Sequence, residues 1–190
     1  MMAYINRLFE NVSNIIPGDK ECGSLWLGNY KSALDPIFIK DNNISVIINC
    51  SVDLPYIYDI LDPEVHGLDK LETFRIPVYD SLLDQDIYIM EQYIHTVLPF
   101  TLKKLLSERK NILIHCYAGA QRSACIVAAI LFVLVDNKIV EFDEIPNKTD
   151  NSKLMKKVVA YILAKRPRAF SYGFRVNFKK SLETFFNINM

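Results

Sequence analysis

The sequence predicts an α/β fold in which a central mixed, mostly parallel sheet is flanked by helices. Short apolar runs of strand character alternate along the chain with longer segments of helical periodicity, and this alternation is typical of a sheet covered by helices on both faces. One turn-rich stretch, residues 115–123, joins an apolar strand-like run to an apolar helix-like run. The length of 190 residues suits one domain with a sizeable core.

The elements follow in chain order. A helix is expected over residues 5–15, ended by Pro17-Gly18, because one face carries Ile5, Leu8, Phe9, Val12 and Ile16. Strand-like runs come next, at 24–27, 45–50, 73–78 and 111–115. Helical patterns fall at 32–40, 87–107, 123–136, 151–165 and 172–186. Residues 53–70 and 137–150 are interpreted as surface insertions.

Charge and composition exclude several classes of protein. The 22 Lys and Arg residues balance the 22 Asp and Glu residues, so no net charge draws the chain to nucleic acid or to an acidic membrane. The chain has only three histidines, and no paired spacing or CxxC motif joins its four cysteines, Cys22, Cys50, Cys116 and Cys125. Neither a metal site nor a disulfide framework is expected.

A cytoplasmic location is predicted from the same composition. Arg7, Glu10 and Asn11 interrupt the apolar residues at the N-terminus, unlike a secretory signal. The apolar run at 124–135 is too short to span a bilayer, so the protein is expected to be soluble and free of membranes. An excess of Lys over Arg, with abundant Ile and Asn, is typical of an AT-rich coding genome and would suit a large DNA virus.

The nonapeptide HCYAGAQRS, residues 115–123, carries the chemistry that the sequence suggests. In a loop between strand and helix, free backbone N–H groups and the helix N-terminus converge on one point and form a cradle for an anion. Cys116 is expected to be a thiolate nucleophile there, and Arg122 can hold two phosphoryl oxygens at once. Gly119 lets the chain curl. Ser123 is expected to donate a hydrogen bond to the sulfur, and His115 to orient the loop.

The pattern His-Cys, two residues, Gly, two residues, Arg-Ser resembles the signature of the cysteine-based protein tyrosine phosphatases at every fixed position. Further segments resemble the dual-specificity branch, especially its small poxvirus-encoded members: 25–33 (LWLGNYKSA), 46–49 (VIIN), 76–80 (IPVYD), 166–167 and 173–174. The resemblance covers roughly residues 20–185 and implies a protein tyrosine phosphatase-like fold with the phosphate loop between a strand and a helix. It departs at Phe170-Ser171-Tyr172, where the family usually has a Pro-Asn pair.

The resemblance makes residues 19–190 the catalytic domain. It implies that phosphate is bound by Cys116, Tyr117, Ala118, Gly119, Ala120, Gln121 and Arg122. Residues 1–18 would form an N-terminal amphipathic helix and hinge. This helix either packs on its own domain or is a dimerisation element, since poxvirus relatives dimerise through an N-terminal helix.

A general acid must protonate the leaving oxygen, and the candidates are Asp80, Asp84 and Asp86. Asp80 is favoured because it ends a strand-like run at the position that the family motif assigns to the acid. Asp84 and Asp86 are interpreted as an N-cap and a first-turn acid of the following helix.

The leading hypothesis is a dual-specificity protein phosphatase that uses Cys116, Arg122 and Asp80, acts on phosphoprotein substrates and needs no cofactor or metal. A short chain favours dual specificity, because tyrosine-only phosphatases carry an extra loop that deepens the pocket. The alternatives within the superfamily are an RNA 5′-triphosphatase and a phosphoinositide phosphatase. A phosphoprotein-binding pseudophosphatase or a structural virion protein is the non-enzymatic alternative.

Several other residues have both a structural and a functional interpretation. Cys125 is expected to be a core residue, whereas Cys50 either packs in the core or pairs reversibly with an oxidised Cys116. His66 and His95 lack partners at ligand spacing. A solvated helix face is favoured over substrate docking for a basic C-terminal stretch of Lys153, Lys156, Lys157, Lys165, Arg166 and Arg168.

Overall fold

The computed structural model describes residues 10–81, 83–141, 150–170 and 178–190. Its sheet has five strands in the spatial order β1-β2-β5-β3-β4. They are β1 (Val12–Ile16), β2 (Leu25–Asn29), β3 (Ile44–Asn49), β4 (Glu72–Arg75) and β5 (Asn111–Cys116). β1 runs antiparallel to β2 and the other neighbouring pairs are parallel, so the predicted mixed, mostly parallel sheet is confirmed.

Within the described ranges the chain forms seven α-helices. They are α1 (Tyr30–Ala33), α2 (Pro36–Asp41), α3 (Pro63–His66), α4 (Asp84–Leu102), α5 (Arg122–Asp136), α6 (Asn151–Lys165) and α7 (Lys179–Phe186). A 3₁₀ turn covers Ile57–Asp59, and a π-helical turn, Lys103–Ser107, continues α4. The predicted insertion at 53–70 therefore contains short helical turns. Residues 142–149 of the other insertion and residues 172–177 of the last predicted helix lie outside the described residues.

The helix predicted over 32–40 is in fact two helices. The carboxylate of Asp35 accepts the N–H groups of Ile37 and Phe38 at 3.0 and 3.1 Å and caps α2. Pro36 then occupies the first turn of α2, where its missing N–H has no helical partner to lose. The same proline cannot continue α1, because it has no N–H for the helical ladder.

The helix predicted over residues 5–15 is wrong where the structure describes it, because residues 12–16 form strand β1. β-Branched residues such as Ile15 and Ile16 fit a pleated strand as well as one face of a helix, and a segment this short does not separate the two periods. Pairing with β2 buries both isoleucines in the core. Residues 5–9 of the predicted helix lie outside the described residues.

Both faces of the sheet are covered, as the alternation of buried side chains along its strands requires. In β5, Ile112 and Ile114 belong to the larger core cluster, whereas Leu113 belongs to the smaller cluster on the opposite face. Helix α5 lies within the larger cluster, where it packs against α4, α6 and β5. Being surrounded on all sides explains why its sequence is apolar around almost its whole circumference.

The topology brings the carboxyl ends of three strands together at one edge of the sheet, which is called the functional edge from here on. β2, β5 and β3 are parallel neighbours, so their carboxyl ends meet at one edge. The register places Asn29 opposite Cys116 and Asn49 opposite His115. The loop that follows Cys116 therefore leaves the sheet between two neighbouring strands, which is where ligands bind in open α/β sheets.

Candidate active site

Residues 116–122, called the signature loop from here on, connect β5 to α5. The carbonyl groups of residues 117–121 all accept hydrogen bonds from donors outside the concave side of the loop. The donors are Tyr30 N at 3.3 Å, Arg166 Nη2 at 3.2 Å, Arg166 Nε at 2.7 Å, Phe170 N at 2.7 Å and Cys125 N at 2.9 Å. With five successive carbonyls turned outward, the N–H groups are free to face the inside of the loop, and this is the arrangement that binds anions.

Gly119 is required by the curvature of this loop. Its φ is +65°, a conformation that side chains with a Cβ rarely adopt. A Cβ at this position would lie 2.4 Å from Gly28 O and 2.7 Å from Arg166 Nη2. The loop therefore sits against β2 and Arg166 with no room for a methyl group.

Arg166 is a supporting residue whose role the sequence analysis missed. The sequence favours a solvated basic face for this stretch, but the structure buries Arg166 completely, so that interpretation is wrong for this residue. Its guanidinium donates to two carbonyls of the signature loop, and at 3.3 Å to Glu10 O and to Ser13 Oγ near and in β1. Burial lowers the pKa of Arg166 to about 10, which leaves it charged at neutral pH.

The sequence departs from the family pattern at residues 170–172, and Phe170 in this stretch also supports the signature loop. Phe170 adopts a φ of +57° and donates its N–H to the carbonyl of Ala120. The backbone of Phe170 thus holds the signature loop, which requires no side-chain amide at this point. Ser171 and Tyr172 lie outside the described residues.

Cys116 lies at the bottom of the loop and is 1 % exposed. Its Sγ accepts hydrogen bonds from Gly119 N and Ser123 Oγ, both at 3.2 Å. Burial by itself raises the pKa of the Cys116 thiol, but the charge of Arg122 and hydrogen bonds from Ser123 and Ala120 outweigh it and lower the pKa below its ordinary value. A stabilised thiolate in a nest of N–H groups can act as a nucleophile toward a bound anion.

Arg122 and Asp80 face each other across the mouth of the loop. Arg122 donates from Nη1 to the carbonyl of Val78 at 3.1 Å, and its Nη2 lies 3.4 Å from Asp80 Oδ2. The buried Nε of Arg122 has no hydrogen-bond partner among the described residues, so it can donate to an anion in the loop. The Asp80 side chain is 39 % exposed, which leaves its carboxylate accessible at the site.

The other two candidate acids are used elsewhere. Asp86 is buried in the first turn of α4 and accepts a short hydrogen bond from Ser81 Oγ. Asp84 is the first residue of α4 and pairs with Lys180 at 3.2 Å. The N-cap position belongs to Leu83, so both aspartates are first-turn acids that interact favourably with the helix dipole.

His115 is buried directly below the signature loop, at the penultimate position of β5. Both ring nitrogens are buried and lack a hydrogen-bond partner among the described residues. Burial is the main cause that lowers the pKa of His115 to about 4, and the charges of Arg75 and Arg122 act in the same direction. The imidazole is therefore neutral at physiological pH.

Two further cysteines, Cys50 and Cys125, are buried close to the signature loop. Burial raises the pKa of Cys50 well above its ordinary value, and the adjacent Cys116 adds to the shift. Cys50 N donates to His115 O at 2.8 Å, so this residue does lie beside the signature loop, and its reversible pairing with Cys116 stays a prediction. Cys125 is fully buried in α5, as expected of a core residue.

No cluster of three or more His, Cys, Asp or Glu side chains in the described residues is arranged to hold a metal ion. None of the helices in the described part of the chain is both long enough and apolar enough to cross a membrane.

Comparison with known proteins identifies the family. Residues 25–143 match the family "Dual specificity phosphatase, catalytic domain". The match covers more than half of the chain and includes β2, the Asp80 segment and the whole signature loop. The chain therefore belongs to the dual-specificity phosphatase family.

The three relatives described next are at most 25 % identical to this chain. The chain is 25 % identical over 126 residues to the MAP kinase phosphatase with leucine-rich repeats protein 1 of Dictyostelium discoideum, covering 66 % of this chain but only 13 % of that much longer protein. The Yvh1 phosphatase domain from Chaetomium thermophilum shares the fold with a TM-score of 0.64 at 20 % identity, over 92 % of this chain and 95 % of that domain. OH1 from the Orf virus, a tyrosine phosphatase with triple substrate specificity, superimposes with a TM-score of 0.58 at 15 % identity over 98 % of both chains. At these identities the structural likeness is one of fold.

Proposed function

We propose that this protein removes phosphate from phosphotyrosine, phosphoserine and phosphothreonine in proteins through a cysteinyl-phosphate intermediate. The observation that carries the proposal is the setting of Cys116, whose Sγ accepts two hydrogen bonds inside a loop that turns its carbonyls outward. Membership of the dual-specificity phosphatase family supports the same reaction.

The first step forms a sulfur–phosphorus bond. The Cys116 thiolate attacks phosphorus, the ester bond breaks, and Asp80 gives its proton to the leaving alkoxide or phenoxide. The loop N–H groups and Arg122 hold the three equatorial oxygens, over which negative charge spreads in the transition state. The products of this step are an alcohol or phenol and phosphocysteine.

The second step returns the enzyme to its starting state. Water attacks phosphorus, the Asp80 carboxylate accepts a proton from that water, and the sulfur–phosphorus bond breaks to release inorganic phosphate. Ser123 Oγ, 3.2 Å from Cys116 Sγ, donates a hydrogen bond that stabilises the departing thiolate. No step requires a metal ion, because nucleophile, acid and charge stabilisation are all supplied by side chains and backbone.

The alternatives differ in what the loop would need to recognise. The side chains at its variable positions, Tyr117, Ala118, Ala120 and Gln121, carry no charge, whereas a phosphoinositide headgroup calls for cationic groups around the loop. Ser123 and the zero net charge also disfavour an RNA 5′-triphosphatase. A phosphoprotein-binding role without catalysis would leave the lowered pKa of Cys116 without a use.

Replacement of the nucleophile tests the proposal. Cys116→Ser should abolish phosphate release from a phosphotyrosine peptide while the fold is kept, because a neutral hydroxyl fills the same space but lacks the reactivity of a thiolate. Cys22→Ser, which changes another buried cysteine at the opposite edge of the sheet, is the matched control and should retain activity.

The assay should include phosphotyrosine and phosphoserine peptides, a triphosphorylated RNA and a phosphoinositide, each with a chelator present. Turnover of the RNA or the lipid alone would replace the proposed substrate class. Full activity of Cys116→Ser on the phosphopeptides would end the covalent mechanism.

A further inference from the structure

Two tyrosines form a stacked pair at the functional edge of the sheet. The ring centroids of Tyr30 and Tyr117 lie 5.1 Å apart with an angle of 18° between the ring planes. Tyr117 is nonetheless 60 % exposed, so much of its ring remains open to solvent beside Cys116. A large aromatic surface left open at the mouth of a site is suited to contact a ligand.

The sheet register explains why the two rings stack. Asn29 at the end of β2 is paired with Cys116 at the end of β5. Tyr30 directly follows Asn29, and Tyr117 directly follows Cys116. Parallel strands lie about 4.8 Å apart, close to the separation of the rings. The N–H of Tyr30 also donates to the carbonyl of Tyr117 at 3.3 Å, which ties both backbones together. Tyr30 thereby positions Tyr117.

A third tyrosine lies on the other side of the mouth. Tyr79 is 61 % exposed and stands between Val78 and Asp80, both of which contact Arg122. The Tyr79 ring is exposed although the neighbouring Val78 is buried. Exposed phenol rings therefore lie next to Cys116, at Tyr117, and next to Asp80, at Tyr79.

We propose that Tyr117, held by Tyr30, is a specificity-determining residue that contacts the aromatic ring of phosphotyrosine and makes the protein prefer it over phosphoserine. This assignment rests on the proposed function of the same site. In-line attack by Cys116 directs the leaving oxygen out of the loop, so the group attached to it passes the rim where Tyr117 lies. A phosphotyrosine ring offers a surface for stacked or edge contact there, whereas the single methylene of phosphoserine offers almost none.

The test compares two peptides of identical sequence that carry phosphotyrosine or phosphoserine at the same position. The ratio of their kcat/KM values should fall about 3- to 10-fold in Tyr117→Ala, which removes one aromatic contact. Tyr117→Phe keeps the ring and should keep the ratio. Ile139→Ala is a matched control, because it removes an exposed apolar side chain beyond the far end of α5, about 20 Å along the helix from the loop.

Two further measurements separate recognition from damage to the loop. The pH dependence of Cys116 alkylation by iodoacetamide should be the same in Tyr117→Ala and wild type, because the pKa of Cys116 is lowered by Arg122, Ser123 and Ala120. Tyr30→Ala leaves the loop sequence intact and should lower the ratio in the same direction, with the alkylation profile again unchanged.

The outcomes distinguish this assignment from the function on which it rests. A wild-type protein that hydrolyses neither peptide overturns the proposed function and the assignment together. The aromatic contact alone is overturned if the wild type hydrolyses phosphopeptides but Tyr117→Ala leaves the ratio of the two kcat/KM values unchanged. The ratio is also unchanged if Tyr117→Ala lowers both kcat/KM values equally.

Discussion

At the scale of single residues, the proposed mechanism requires Asp80 to give up a proton in the first step and to accept one in the second. Asp80→Asn keeps the shape of the side chain but removes the proton donor, so the rate on a peptide phosphate should fall about 10²- to 10⁴-fold. On an aryl phosphate with a good leaving group the loss should be smaller, because that leaving group needs little protonation. Steady-state kinetics on both substrates measure the difference.

Asp84→Asn is the matched control for this experiment, because Asp84 pairs with Lys180 on the surface. It should change neither rate appreciably. If Asp84→Asn showed the leaving-group dependence and Asp80→Asn did not, the general acid would have been assigned to the wrong residue.

His115 makes a second residue-scale contribution, to the pH dependence of stability. Its pKa is about 4 in the folded protein against an ordinary value of 6.5, so between these values the unfolded chain binds a proton that the folded chain does not. The contribution of neutral His115 to the free energy of unfolding is therefore fully present above pH 6.5 and is lost as the pH falls toward 4. The whole shift corresponds to a loss on the order of 3 kcal/mol.

Chemical denaturation at several pH values checks this expectation. In His115→Gln the free energy of unfolding should depend less steeply on pH between 6.5 and 4 than in wild type, whatever its absolute value. An NMR titration that protonates the His115 ring near pH 6 would contradict the burial argument.

At the scale of elements, the signature loop is held from behind by β2, by Arg166 and by the backbone of Phe170. Gly119→Ala should therefore lower kcat/KM at least about 10-fold and destabilise the fold by about 1–3 kcal/mol, because its methyl group would displace the carbonyl of Gly28 or the guanidinium of Arg166. Thermal unfolding and turnover of an aryl phosphate report the two effects.

Gly67→Ala is the matched control, because it introduces the same backbone strain without a collision between the new methyl group and its surroundings. Gly67 has the same φ of +65°, but a Cβ there would meet nothing closer than Lys40 Cε at 3.7 Å. It should cost about 1 kcal/mol of stability and leave turnover unchanged. Equal losses of activity in the two variants would show that the close approach at Gly119 is unimportant.

The sequence predicted those elements whose signals are local. The runs that became β2, β3 and β5 are largely apolar, and the spacing of Cys116, Gly119 and Arg122 is fixed by the chemistry of one loop. The role of Arg166 was hidden because its partners, Ala118 and Gly119, are almost fifty residues away in sequence. Its basic neighbours in α6 give the pattern of a solvated face, and no local feature of the sequence distinguishes Arg166 from them.

At the scale of the whole molecule, strand β1 is linked to the signature loop through Arg166. The carbonyl of Ile15 accepts a hydrogen bond from Tyr161 Oη at 3.0 Å, and Arg166 donates to Ser13 Oγ in the same strand. The guanidinium that holds the signature loop is thus itself held by β1. Mistaking this strand for a helix concealed the connection, because a separate helix would have had no role in shaping the site.

Two truncations test that connection and the predicted dimerisation element together. A chain of residues 17–190 lacks β1 and the buried side chains of Ile15 and Ile16, so it should lose about 3–6 kcal/mol of stability and most of its turnover. A chain of residues 10–190 keeps β1 and should keep the turnover of the full chain. Equal activity of all three chains would contradict the role of β1 in supporting Arg166. Light scattering on the same samples then tests dimerisation through residues 1–18. The sequence resemblance predicts that loss of residues 1–16 converts a dimer to a monomer, whereas a full chain that is monomeric at micromolar concentration contradicts that prediction.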